Sequence, residues 1–201
     1  MGREEELDLL TRRWERARRG EGQLALIVGE PGLGKSRLME EFHARLGETP
    51  HTWVEWSSSQ LLQNTPLHPI AEWGRQRFGA DLPAEQRLAD LENTLSLIGL
   101  DATEYAPLLA PMVDVPLPED RVAKLAPEEL RRRQLAAMTA WILAGARTQP
   151  AVVAFEDLHW ADPTSLDLNA RSGRARGAGA VAHHRDDAAG VPGALEREVA
   201  P

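Results

Sequence analysis

The sequence predicts an α/β fold in which helices pack on both faces of a parallel β-sheet. Short apolar runs alternate with amphipathic helical patterns over about the first 170 of the 201 residues. The runs QLALIV and AVVAF are continuously apolar, as strands covered on both faces are. A glycine-rich loop joins the first run directly to a helical pattern. The chain is long enough for one domain with a sizeable core.

The first element is predicted to be a helix over residues 4–19. Its apolar residues recur at spacings of three and four and therefore share one face: Leu7, Leu10, Trp14 and Ala17. A strand over QLALIV follows. SRLMEEFHARLG is then a helix that ends at Gly47, and HTWVEWSS is a second strand.

The middle of the chain has a weaker pattern. A helix is expected in PAEQRLADLENTLSLIG, and a proline-rich connection is expected over residues 107–118. A long helix then begins at Pro127 and runs to about Thr148, and AVVAFED is the third strand. Asp162 and Pro163 are a suitable N-cap and first-turn residue for one more helix.

Composition excludes several classes of protein. The net charge of −8 gives no global attraction to nucleic acid, and the absence of cysteine excludes disulfides. No apolar run approaches the roughly 20 residues that span a bilayer, so the cytoplasm is the expected location and no membrane partner is expected. Arg131, Arg132 and Arg133 are interpreted as a solvated helix face. His183 and His184 are adjacent and are not expected to bind zinc.

A phosphate-binding loop is the strongest motif. Gly29, Gly34 and the pair Lys35-Ser36 have the required spacing, with an apolar strand before them and an amphipathic helix after them. Glycines let backbone N–H groups converge on phosphate oxygens, and the helix directs its positive end at the same anion. Lys35 is expected to reach the β and γ phosphates and Ser36 to coordinate Mg²⁺. The alternative is a glycine turn that only connects strand and helix.

The predicted nucleotide-binding residues form the loop and the first turn of the helix: Gly29, Glu30, Pro31, Gly32, Leu33, Gly34, Lys35, Ser36 and Arg37.

An acidic pair follows the third strand. Glu156 is predicted at the Mg²⁺ position and Asp157 at the position that polarises the attacking water, although the reverse assignment remains open. Lys35 and Asp157 are the predicted catalytic residues. The alternative interpretation is that both acids only end a strand as solvated charges.

With these residues assembled, the chain resembles the AAA-like ATPase modules of the STAND group of signal-transduction ATPases. Such modules occur in bacterial LuxR-type and SARP-type transcriptional regulators and beside class III adenylate or guanylate cyclase domains. The resemblance covers residues 2 to about 168, and its landmarks are GREEEL, GEPGLGKSRL, PLPED and VVAFEDLHWADPTSLDL. It implies a P-loop NTPase three-layer sandwich with a parallel sheet. It also implies ATP rather than GTP, with Gly2 and Arg3 on the adenine side.

The pattern changes after Leu168. Residues 171–201 contain few large apolar side chains and are expected to be a disordered tail outside the family's domain, which leaves residues 1–170 as a partial domain. If the tail is translated one base later, the codons of residues 186–191 permit Thr-Thr-Arg-Pro-Glu-Phe, which is the family's next motif. We therefore hypothesise a frameshift near Asn169 that truncates the module. In the written frame the sheet should then lack its central fourth strand.

The expected function is ATP binding, with Mg²⁺ and possibly with hydrolysis, by a module of a signalling or transcriptional regulator. The expected partners are ATP and other domains or proteins of that system. Direct nucleic-acid binding by this segment is not expected. The alternatives are a nucleotide-dependent interaction switch without hydrolysis and a non-functional fragment.

Overall fold

The computed structural model describes residues 3–30, 32–58, 60–62, 65–157, 160–166, 168 and 178–184. The first half contains α1 (Glu4–Arg18), β1 (Gln23–Val28), α2 (Lys35–Leu46) and β2 (Thr52–Ser57). The second half contains α3 (His68–Arg77), α4 (Ala84–Leu97), α5 (Ala102–Leu109), α6 (Pro127–Thr148), β3 (Ala151–Glu156) and β4 (Ala178–His184). The four strands form one parallel sheet in the order β1-β4-β3-β2, so the predicted α/β fold class is confirmed.

The position of β4 contradicts the expectation that the sheet lacks its fourth strand. β4 lies between β1 and β3 and pairs with both, within the segment that was expected to be disordered. Its residues are mostly small, and its backbone groups have partners on both sides, which a side-chain pattern does not reveal. The remaining tail, residues 169–177 and 185–201, lies outside the described residues, and the proposed division at residue 170 stays a prediction.

Side-chain alternation along the strands produces three layers. On β3, Val152 and Ala154 pack with α1 and α2, while Val153 and Phe155 pack with the helices on the other face. The predicted stripe of α1 is buried against α2, whose Leu38, Met39, Phe42 and Leu46 face it. The opposite layer consists of α3 to α6 and holds the largest apolar cluster of the described residues.

The middle of the chain is more helical than the sequence indicated. The helix expected after Pro83 is α4, but α3 and α5 were not predicted. Pro107, assigned to a connection, lies inside α5, and a 3₁₀ turn at Ala110–Val113 follows. Asp101 caps α5 by accepting from the Thr103 hydroxyl and from the Thr103 N–H, the latter at 2.9 Å. These two hydrogen bonds lower the pKa of the Asp101 carboxyl. Pro107 removes one N–H donor from α5, and the α-helix ends two residues later.

Within the described part of the chain, no helix is long and apolar enough to cross a membrane. The longest helix, α6, has charged residues throughout its first two turns.

Close packing of α3 on the 3₁₀ turn makes Gly74 a sensitive position. A Cβ atom at Gly74 would lie 2.1 Å from the carbonyl oxygen of Val113 and 2.6 Å from its carbonyl carbon. We predict that Gly74→Ala lowers the free energy of unfolding by about 1–3 kcal/mol, because the helix must move away from the turn. Gly145→Ala in α6 is the control, since no atom lies within 4 Å of its Cβ position and alanine stabilises a helix by about 1 kcal/mol. Urea denaturation measures both, and equal stabilities would contradict this packing.

Hydrogen exchange tests the central position of β4. A strand paired on both sides has consecutive bonded N–H groups, whereas an edge strand has bonded N–H groups only at alternate residues. We therefore predict slow exchange at successive amides of residues 179–183 and 152–155, and alternating protection along β2, which has a partner on one side within the described sheet. Exchange of residues 179–183 at the rate of an unstructured peptide would contradict the central position of β4.

Candidate functional site

The glycine-rich loop lies at the carboxyl end of β1 and leads directly into α2. Gly32 and Gly34 have φ values of 83° and 74°, in the left-handed region that glycine adopts most easily. No atom lies within 4 Å of a Cβ position at Gly32, so its conformation rather than crowding requires glycine. Gly34 is also the N-cap of α2 and offers no side chain to the first N–H groups of the helix. These N–H groups are therefore available to an anion.

Lys35 extends from the first turn of α2 back over the loop. Its Nζ atom donates to the carbonyl oxygens of Gly29 at 2.5 Å and Glu30 at 3.0 Å. Ser36 and Arg37 are exposed in the same turn. The Arg37 side chain donates to Glu41 at 2.8 Å, so its guanidinium is engaged along the helix rather than over the loop. The structure thus brings Lys35 and the loop together, while Pro31 lies outside the described residues.

The start of α1 also contacts the loop. The guanidinium of Arg3 donates to the carbonyl oxygen of Leu33, and Arg3 lines a cleft of about 340 Å³ between α1 and β1. Arg45 of α2 donates to Glu4 and Asp8 of α1 at 2.7 Å each, and these hydrogen bonds raise the pKa of Arg45. The first turn of α1 is therefore tied to the helix that follows the loop. Gly2 lies outside the described residues.

The acidic pair is at the same edge of the sheet as the loop. Leu26 of β1 and Phe155 of β3 both lie opposite Ala182 of β4, so they form one row across the sheet. Asp157 comes two residues after this row on β3, and Gly29 comes three residues after it on β1. Strands are spaced about 4.8 Å apart, so roughly 10 Å separates the two strand ends, with β4 between them. The loop and the acidic pair therefore lie at one edge of the sheet, about two strand spacings apart.

Asp157 has an unusual backbone conformation. Its φ of 53° is left-handed, which aspartate adopts more readily than most residues, and its carbonyl oxygen accepts from the Trp160 N–H at 2.8 Å. Glu156 and Asp157 are both half-buried. The chain therefore turns sharply at the end of β3 and leaves two carboxylates at this edge.

Asp162 is the predicted N-cap of the next helical turn, and the structure confirms it. Its carboxylate accepts from the N–H groups of Thr164 at 2.9 Å and Ser165 at 3.2 Å, and from the Ser165 hydroxyl at 2.5 Å. It also accepts from the N–H of Leu67, the residue before α3, at 3.1 Å. This last bond joins residues 95 positions apart, and no local pattern in the sequence indicates it.

Sequence reasoning assigned no role to the end of β4. The strand ends at His184, which lies opposite Val28, immediately before the loop. The backbone of His183 and His184 is therefore between the loop and the acidic pair. The segment was expected to be disordered, so its position between the two strand ends was not predicted. Within the described residues, no group of three or more His, Cys, Asp or Glu side chains is arranged to hold a metal ion.

Comparison with known proteins agrees with the motif pattern. The family described as AAA ATPase domain matches residues 1–176. The chain is also similar to an uncharacterized protein of Rhizobium meliloti (strain 1021), with 29% identity over 187 aligned residues. That alignment covers 87% of this chain and 17% of the relative, so the chain spans about a sixth of the length of the relative.

Proposed function

Because the chain belongs to the AAA ATPase domain family, we propose that it binds ATP with Mg²⁺ at the loop between β1 and α2. The observation that carries this proposal is the conformation of the loop. Left-handed glycines, an uncapped helix start and the Lys35 ammonium converge on one place. Each of these features favours a phosphate group.

Backbone and side-chain groups of the loop would bind different phosphate oxygens. Backbone N–H groups at the start of α2 bind phosphate oxygens, assisted by the positive end of the helix dipole. The ammonium of Lys35 exchanges its carbonyl partners Gly29 and Glu30 for the β and γ phosphates. A charged acceptor is the stronger partner, so this exchange is favourable.

The residues that would hold Mg²⁺ are Ser36 and Glu156, which supply the oxygen ligands that this ion prefers. Mg²⁺ would neutralise charge on the β and γ phosphates. Asp157 would orient a water molecule toward the γ phosphate by accepting its hydrogen bond. The exchange of roles between Glu156 and Asp157 is the competing assignment.

The adenine side of the site would be formed by the chain preceding α1. Contact between Arg3 and the Leu33 carbonyl supports this assignment, since it places the N-terminal segment against the loop. The resemblance in GREEEL adds Gly2 and favours ATP over GTP.

We further propose that the module acts in a signalling or transcriptional regulator of the LuxR, SARP or cyclase-associated kind, in the cytoplasm. The landmarks GEPGLGKSRL and VVAFEDLHWADPTSLDL support this context. The frameshift near Asn169 also remains a hypothesis. Its support is that the codons of residues 181–185 permit an apolar run in the alternative frame, and these positions overlap β4. The gene sequence across Asn169 decides it.

A nucleotide-dependent switch that does not hydrolyse ATP is the second candidate. The order Glu156-Asp157 favours it, because the family that the chain resembles often has Asp before the second acid of this motif. Release of inorganic phosphate from bound ATP distinguishes the enzyme from the switch, and absence of ATP binding would indicate a non-functional fragment.

The role of Lys35 is tested by its removal. We predict that Lys35→Ala weakens ATP binding by about 10- to 100-fold, since a hydrogen bond to a charged group contributes about 1.5–3 kcal/mol. Lys124→Ala is the matched control, because Lys124 is exposed and is the other lysine of the chain. Calorimetric titration with Mg²⁺-ATP measures both. Equal affinities of the two variants would refute the assignment.

The acidic pair is tested by two isosteric changes. We predict that Asp157→Asn leaves the affinity for ATP within about threefold and abolishes any phosphate release, because it removes water polarisation and preserves shape. Wild-type protein should bind ATP more tightly with Mg²⁺ than with EDTA, and Glu156→Gln is expected to remove this difference in ATP affinity. If Asp157→Asn removes this difference and Glu156→Gln does not, the two roles are reversed.

A further inference from the structure

A groove of about 290 Å³ lies between α3, α6 and the helical turn that follows Asp162. Its lining combines polar and apolar side chains, among them Leu67, Ala71, Met112, Arg131, Gln134 and Thr164. None of its lining residues belongs to the phosphate loop or to the acidic pair. The groove is therefore separate from the proposed nucleotide site.

The three consecutive arginines of α6 have different environments. Arg132 and Arg133 are exposed and donate to Glu129 at distances of 2.6–2.9 Å. Hydrogen bonds from Arg133 and then Arg132 lower the pKa of the Glu129 carboxyl. Arg131 is exposed as well, so the interpretation of all three arginines as a solvated helix face is confirmed.

Arg131 differs from both neighbours in its contacts, although it is exposed as they are. Its guanidinium has no hydrogen-bond or ion-pair partner within the described residues, and it lines the groove. Gln134 is three residues later in α6 and therefore lies on the same helix face. The amide of Gln134 likewise has no partner in the described part of the chain. An unpaired cation and an unpaired amide therefore line the same groove.

Thr164 adds an unmet hydrogen bond. Its side chain is 3% exposed, and its Oγ1 atom is buried with no hydrogen-bond partner. Most buried hydroxyl groups in proteins are hydrogen-bonded, so this unpaired hydroxyl is unusual. Protein atoms cover the Oγ1 atom, and a ligand in the groove would reach it only after a rotation of the Thr164 side chain. Asp162 does not satisfy it, since the carboxylate of Asp162 already accepts from Leu67, Ser165 and the Thr164 N–H.

We propose that this groove binds a small carboxylic acid with an apolar body. A guanidinium presents paired N–H donors that match the two oxygens of a carboxylate. Leu67, Ala71 and Met112 offer apolar surface to the rest of the ligand, which a bare phosphate ion would leave uncovered. The volume of the groove is at the lower end of the range for small-molecule pockets, so the ligand is small.

Methyl NMR spectroscopy tests the proposal with hexanoate as the probe. Met112 lines the groove and is 4% exposed, so its methyl resonance reports on an occupant. Hexanoate is expected to shift this resonance saturably in the millimolar range, where ligands of so few atoms bind. Hexanol, which has the chain without the charge, and acetate, which has the charge without the chain, are each expected to bind at least tenfold more weakly.

Variants of adjacent arginines provide the matched control. Arg131→Gln is expected to weaken hexanoate binding at least tenfold, whereas Arg132→Gln is expected to leave it within twofold. Unchanged methyl resonances elsewhere in the core show that each variant is folded. The proposal is overturned if hexanoate produces no saturable shift, if hexanol binds as tightly, or if the two variants behave alike.

Discussion

The backbone ladder of β4 is the interaction on which the rest of the structure depends. Within the described residues, β4 is the strand that connects β1 to the remainder of the sheet. Its parallel register places Leu26 and Phe155 in one row and so brings the ends of β1 and β3 to a common edge. The loop and the acidic pair follow those two ends directly. Their mutual position therefore depends on the backbone hydrogen bonds of β4.

This dependence explains which elements were predictable from the sequence. α1, β1, α2, α6 and β3 have strong side-chain patterns, and residues such as Ala17 and Phe155 are buried as those patterns require. β4 has mainly alanine and glycine, so side-chain burial gives little indication of it. Its stability derives from pairing on both sides, and this pairing exists only after β1 and β3 are in place. α3 was missed for a related reason: the Leu67 N–H before it is bound by Asp162, far along the chain.

In the site, too, local features were predictable from the sequence, whereas features that depend on distant parts of the chain were not. The conformation of the loop is local, and its glycines at Gly32 and Gly34 have the left-handed φ angles that the motif implies. The nucleotide roles of Lys35 and Asp157 stay predictions, because they concern a ligand. The position of His184 beside the loop depends on the sheet register, and the pairing of Arg37 with Glu41 depends on helix geometry. Neither can be deduced from the motif.

The attachment of α1 shows how packing and charge act together near the loop. Burial of Leu10 and Trp14 against Phe42 supplies the attraction between α1 and α2, since exposed ion pairs contribute little to stability. The bonds of Arg45 to Glu4 and Asp8 add little to this attraction, but they are directional and join the first turns of α1 to the last turn of α2. Arg3, the residue before α1, donates to the Leu33 carbonyl. The start of α1 therefore contacts the loop through Arg3, while α2 continues directly from the loop at Lys35.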